Sequence, residues 1–179
     1  MGLKLNTGDK APDFTFDTPW EGGKKFYSEC GDGTAVLVFL RYYGCPVCRM
    51  ELADFKRENA RFEDKKANLF IVIQSDPGRI ASITRKEDWP FTIICDPDAD
   101  IYGSYHVAPG GIIKYMHPAG LVAAIKATLK GFRHGKFEGK ETQLPAAFII
   151  SPDKTITFSH YGKTIPDVPS ATILAARIN

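Results

Sequence analysis

Apolar runs punctuated by glycine and proline divide the chain into alternating strands and helices. Ala35-Val36-Leu37-Val38-Phe39-Leu40 is continuous, β-branched and preceded by Gly33, as in a strand buried on both faces. From Met50 towards Phe62 the pattern changes: Leu52, Phe55 and Phe62 share a helical face among charged residues. Leu69 to Ile73 reads as a second buried strand, closed by a turn over Gln74 to Gly78. A short helix is predicted around Arg79 to Glu87, and a third strand over Phe91 to Cys95, ended by Asp96-Pro97-Asp98. Ahead of these, Phe14 and Phe16 alternate with polar neighbours in a short edge strand. Residues 17–33, with Gly22, Gly23, Gly31 and Gly33, read as loop, with Cys30 exposed in it. Strand, helix, strand, helix, strand implies right-handed crossovers and a largely parallel sheet.

The later chain is less regular. Residues 104–143 interrupt the alternation. Ile112, Ile113, Tyr115 and Met116 fit one helical turn, and Leu121, Val122, Ile125 and Leu129 form the apolar side of a helix that Gly131 ends. Those four residues require cover from the body of the domain or from another subunit. Lys126, Lys130, Arg133, Lys136 and Lys140 against Glu138 make a basic stretch, predicted as a solvated face with a mobile tip, with a docking site for an acidic partner or anionic substrate as the alternative. Pro145 to Ile150 and Thr155 to His160 then read as a strand pair around a turn, with His160 structural or exposed. A closing helix runs from Ser170, its N-cap, to Ile178.

Candidate chemistry lies where the first core strand meets its helix. With Cys45 as N-cap, Pro46 takes the first helical position, where its fixed φ fits and its missing N–H costs nothing. The cap sulfur then faces the free N–H groups of Val47 and Cys48 and the positive end of the helix dipole. Both stabilise a thiolate, the form that attacks disulfides and peroxides. Cys48, one turn on and directed inward, can close a disulfide with Cys45, which is expected to be the exposed, faster-alkylating thiol. Two cysteines at this spacing also suit half a zinc site or an inert buried pair. No second Cys-x-x-Cys and no His-x-x-x-His follows, so the redox pair carries most weight. Cys95 fits a small buried hydrophobe at a strand end, or an auxiliary thiol.

Composition bounds the rest. The 179 residues, 44% hydrophobic and 25% charged, suit one domain with a substantial core. A net charge of +2 is too small to imply a nucleic-acid or membrane partner, and no apolar run is long enough to span a bilayer. The start lacks the apolar core of a signal peptide, and four cysteines are not a secreted disulfide framework. The expectation is a cytoplasmic protein whose reactive pair cycles. No metal or organic cofactor is indicated.

Several pieces together resemble one family. Gly8 to Phe14, Arg41 to Leu52, Phe91 to Gly103 with its Asp-Pro turn and Tyr102-Gly103, Leu144 to Ser151, and His160-Tyr161-Gly162-Lys163 fall in the order of the alkyl hydroperoxide reductase C/thiol-specific antioxidant superfamily. The chain looks closest to its Cys-x-x-Cys peroxiredoxin-like branch. The resemblance implies an α/β thioredoxin-like fold of peroxiredoxin type. That is a mixed sheet flanked by helices in a single domain over 1–179, with a helical insertion at about 104–143 before the late strand pair. It also implies Pro145 as a cis-proline beside the pair. Where peroxiredoxins carry Pro-x-x-x-Thr-x-x-Cys, this chain has Val38, Tyr42 and Cys45, and Leu144 stands where they have an arginine. Arg41 and Arg49 are the cations that could substitute.

The favoured expectation is thus a thiol–disulfide oxidoreductase, with Cys45 as nucleophile, Cys48 as resolving thiol, and Pro46, Pro145, Arg41 and Tyr42 in support. A hydroperoxide reductase with the same cysteines is the alternative, and a non-catalytic redox sensor or binding module the third. The partners implied are a protein or low-molecular-weight disulfide or thiol and a hydroperoxide, with a homodimer as a candidate assembly.

Overall fold

The computed structural model describes residues 4–111 and 117–178. Five strands form the main sheet: β3 (Thr34–Phe39), β4 (Ala67–Ile73), β5 (Thr92–Cys95), β6 (Ala146–Ile150) and β7 (Ile156–Tyr161), in the order β5-β4-β3-β6-β7. β3, β4 and β5 are parallel, and β6 and β7 are antiparallel to their neighbours. β3 is buried on both faces, which is why it reads as an unbroken apolar run. Its residues alternate between two cores. Val36 and Val38 face a layer with Leu52, Phe55 and Phe62 of the following helices. Ala35, Leu37 and Phe39 face an aromatic layer with Phe26, Tyr102, Tyr105 and Phe148.

α2 (Pro46–Arg57) follows β3, then a short α3 (Ala60–Glu63), so the expected helix towards Phe62 comes in two pieces. α4 (Pro77–Ile83) starts earlier than the apolar pattern suggests, because the Asp76 carboxylate accepts from Arg79 N at 2.8 Å and Pro77 opens the helix. A 3-10 turn over Lys86–Asp88, α5 (Asp100–Ser104), α6 (Pro118–Leu129) and α7 (Ala171–Ala175) complete the described helices. Ser170 caps α7 through Ile173 N, as its sequence predicts.

Four expectations need correction. Residues 17–33 are not all loop. β1 (Thr15–Phe16) pairs with β2 (Lys24–Lys25), and α1 (Phe26–Cys30) follows directly. Cys30 is therefore buried, at 2% exposure, because α1 turns Phe26 and Cys30, four residues apart, into the aromatic layer. The Leu144–Pro145 bond is trans, as the described residues contain no cis peptide bond. Pro145 precedes β6, whose pairing with β3 starts at Ala146. The strand needs no N–H from it, and its carbonyl accepts from Gly162 N at 2.8 Å. Finally, α6 packs on α2 through Gly120, Ala123 and Ala127, not through its large residues. Leu121, Val122, Ile125 and Leu129 point outward, with Leu121 at 66% and Leu129 at 84% exposure. The helical turn expected at Ile112 to Met116 lies outside the described residues.

Candidate active site

β3 ends at Phe39, and the chain crosses the carboxyl edge of the parallel strands at Arg41 before entering α2. Gln74 N donates to Arg41 O at 2.7 Å, fixing this backbone against the end of β4. Cys45 N donates to Tyr42 O at 3.2 Å, closing a turn that leaves Cys45 as the N-cap of α2 with Pro46 at its first position. Cys45 Sγ accepts from Cys48 N at 3.4 Å and from Arg41 Nη2 at 2.9 Å. Cys48 Sγ in turn accepts from Arg41 N at 3.4 Å. Arg41 thus touches both sulfurs, one with its side chain and one with its backbone.

These contacts favour the thiolate on Cys45. The Cys48 thiol donating to Cys45 lowers the Cys45 pKa most; burial opposes it, and the Arg41 charge and the Cys48 N–H add to it, bringing Cys45 to about 6. Burial, and then Cys45 itself, hold Cys48 well above the ordinary thiol range. Cys30 and Cys95 are pushed up to about 12, chiefly by burial. Because only the deprotonated form reacts, the alkylation rate of Cys45 is expected to be flat above pH 7. Below about pH 6 it should fall roughly tenfold per pH unit. Cys48→Ala should move that midpoint upward. A midpoint at an unshifted thiol value in the wild type, read from iodoacetamide kinetics with mass mapping, would contradict the arrangement.

The basic stretch keeps its cations exposed, as expected of a solvated face, but its backbone is tethered. Residues 133–143 lie across the site as a strap. Gly135 N donates to Gly44 O at 2.8 Å, Arg49 Nη1 to Arg133 O at 3.4 Å, and Arg41 Nη1 to Glu141 O, with the Glu141 carboxylate 3.7 Å away. His134 Nδ1 lies 2.7 Å from Gly135 O and its Nε2 3.2 Å from the Tyr42 hydroxyl, which also hydrogen-bonds the Glu141 carboxylate. Glu138 pairs with Arg79 and accepts from Ser75 Oγ at 2.8 Å. Lys140 N donates to Gln74 Oε1 at 2.7 Å. Gly44 permits this closure, since a Cβ there would collide with Lys136 O. Under the strap Cys45 is wholly buried, 0% exposed, against the expectation of an exposed thiol.

Beside Arg41, a cavity of about 340 Å³ runs between α2 and α6, walled by Pro46, Val47 and Leu121, with Arg41, His134 and Glu141 among its polar groups. The structure therefore brings Cys45, Cys48, Pro46, Arg41 and Tyr42 together, while Pro145 sits against Gly162. It adds Gly44, His134 and Glu141, which sequence reasoning missed. Glu138, the one acid in the basic stretch, was the available signal that the stretch is tethered. Among the described residues no group of His, Cys, Asp and Glu could hold a metal ion.

A thioredoxin-like sheet with a stabilised thiolate and a second cysteine one turn on defines a thiol-based oxidoreductase. The chain belongs to the AhpC/TSA family, whose model matches residues 7–159. It is similar to the peroxidoxin BcpB of Mycobacterium tuberculosis, at 15% identity over 97% of this chain and 96% of that one, TM-score 0.69. A peroxiredoxin-like protein of Aquifex aeolicus gives 17%, 99%, 88% and 0.69 for the same measures. A yeast mitochondrial 1-Cys peroxiredoxin gives 22%, 88%, 67% and 0.59. No curated protein matches the chain.

Proposed function

We propose that the protein reduces hydroperoxides, with Cys45 as the attacking thiolate and Cys48 as the resolving thiol. The Arg41 guanidinium 2.9 Å from Cys45 Sγ carries this reading. Tyr42 and Leu144 stand where the family's peroxidase motif has a threonine and an arginine, and on sequence that places disulfide exchange first. Arg41 supplies a cationic donor at the sulfur, where charge develops as an O–O bond breaks. Burial of Cys45 favours the same reading, since a small hydroperoxide needs less room than a protein disulfide.

In the proposed cycle the Cys45 thiolate attacks one peroxide oxygen. An S–O bond forms as the O–O bond breaks, and the departing alkoxide or hydroxide takes a proton from solvent. The Cys48 thiol then attacks the Cys45 sulfenic acid, forming the disulfide and releasing water. An external dithiol, or two thiol molecules in turn, then reduces the disulfide through a mixed disulfide and leaves oxidised as its own disulfide; we place the cycle in a reducing compartment.

Stopped-flow mixing of the reduced protein with hydroperoxide tests this. Oxidation of Cys45 is expected to outpace that of a free cysteine by about 1000-fold or more, and Cys45→Ser to abolish it. Peroxide oxidation at the free-cysteine rate alongside rapid turnover of a model disulfide would return disulfide exchange to first place.

A further inference from the structure

The outward face of α6 carries four exposed apolar side chains. Leu121, Val122, Ile125 and Leu129 cluster opposite the Gly120, Ala123 and Ala127 face that packs on α2. Soluble monomers rarely present such a stripe without a partner. The charge carried by α6 and the start of the strap is of one sign. No Asp or Glu occurs between Asp100 and Glu138, while Lys126, Lys130, Arg133 and Lys136 follow one another along α6 and the start of the strap. Among the described residues no ion pair takes up these four cations, and Glu138 is engaged by Arg79. On α2, half-buried Glu51 interacts electrostatically with Lys126 and Lys130, and its carboxyl is raised to about 7, mainly by burial.

We propose that this face docks the protein on an anionic lipid bilayer. A second copy fits poorly, because a two-fold contact must be self-complementary and this patch offers cations without acids to answer them. A protein partner fits less well than lipid. Protein hot spots favour Trp, Tyr and Arg over Leu and Val, and the stripe is wholly aliphatic. An aliphatic face bordered by Lys and Arg is the composition of a helix lying in a membrane interface, its apolar side among acyl chains and its cations at the headgroups. The total charge of +2 hides this, because the acids lie elsewhere in the chain. Leu121 also walls the cavity beside Arg41, so docking through α6 turns that side of the site towards the lipid.

Flotation of the intact protein with phosphatidylglycerol/phosphatidylcholine vesicles tests the proposal without measuring catalysis. Binding is expected to be at least about tenfold stronger than to pure phosphatidylcholine vesicles, and to fall in high salt. The double variant Ile125→Glu, Leu129→Glu should lose vesicle binding and keep its solution rate with hydroperoxide, since neither residue lines the site. Wild type that ignores anionic vesicles, or a double variant that binds as well as wild type, overturns the proposal. A wild-type dimer that this variant converts to monomer, by analytical ultracentrifugation, assigns the stripe to a second copy instead and also overturns it. So does a monomer that binds no vesicle and is left needing a protein partner.

Discussion

Arg41→Met is expected to slow oxidation of Cys45 by hydroperoxide by about 100- to 1000-fold, the range for removing one preorganised donor from a transition state. Methionine keeps much of the side-chain length and apolar contact but offers the sulfur no hydrogen bond. Two losses coincide. The Cys45 thiolate loses the cation 2.9 Å away, so its pKa rises, and in the proposed reaction the breaking O–O bond loses a donor for its charge. Measuring the rate well above the shifted midpoint separates them, because full ionisation restores only the first. The backbone part of the site survives: Arg41 N still donates to Cys48 Sγ, and Arg41 O still accepts from Gln74. Arg41→Lys should fall between wild type and methionine, since a point charge lacks the guanidinium fork that reaches Cys45 and Glu141 together. A methionine variant within tenfold of wild type at saturating ionisation would show that charge stabilisation comes from elsewhere.

Gly44→Ala carries the second large effect, through sterics. The added methyl would overlap Lys136 O, a backbone atom that cannot rotate away. Either the strap lifts or the turn before Cys45 shifts, at an expected cost of about 1–3 kcal/mol in stability. If the strap lifts, Gly135 loses its bond to Gly44 and Cys45 becomes open to bulky reagents. Labelling by a large maleimide is expected to accelerate by about tenfold or more, while a small alkylating agent gains less. Urea titration reads the stability cost and mass mapping the labelling. A labelling rate equal to wild type in a variant that is measurably destabilised would mean that the strap does not control access to Cys45.

The sequence showed those parts of the molecule that obey short-range rules. A β-branched run, a cap residue and a proline at the first helical position sufficed to place Cys45 and Cys48, because each rule operates within a few residues. Arg41 could be named but not aimed. Its side chain is directed by Glu141, 100 residues away, and the Tyr42 hydroxyl by His134, 92 residues away. Nothing local encodes such contacts. The reversal of α6 has a different cause. Large apolar residues suggest the buried side of a helix, but a helix lying close on α2 has room there only for Gly120, Ala123 and Ala127. Cys30 was misplaced because a five-residue helix is too short to show a period.

The two faces of β3 divide reactivity from robustness. Cys45 and Cys48 belong to the layer with Val36 and Val38, whereas most of the stacked rings lie behind Ala35, Leu37 and Phe39. Substitutions can accumulate in the aromatic layer as changes in durability, and in the sulfur layer as changes in chemistry, with one sheet keeping the two ledgers separate. Tyr102 is where they meet. Its ring sits edge-on to Phe39 in the aromatic layer, while its hydroxyl donates to Val72 O at 3.0 Å and to Leu40 O, the residue immediately before Arg41. Drift in the aromatic layer can therefore reach the cysteine pair through this phenol, and that position joins the history of the fold to the history of the site.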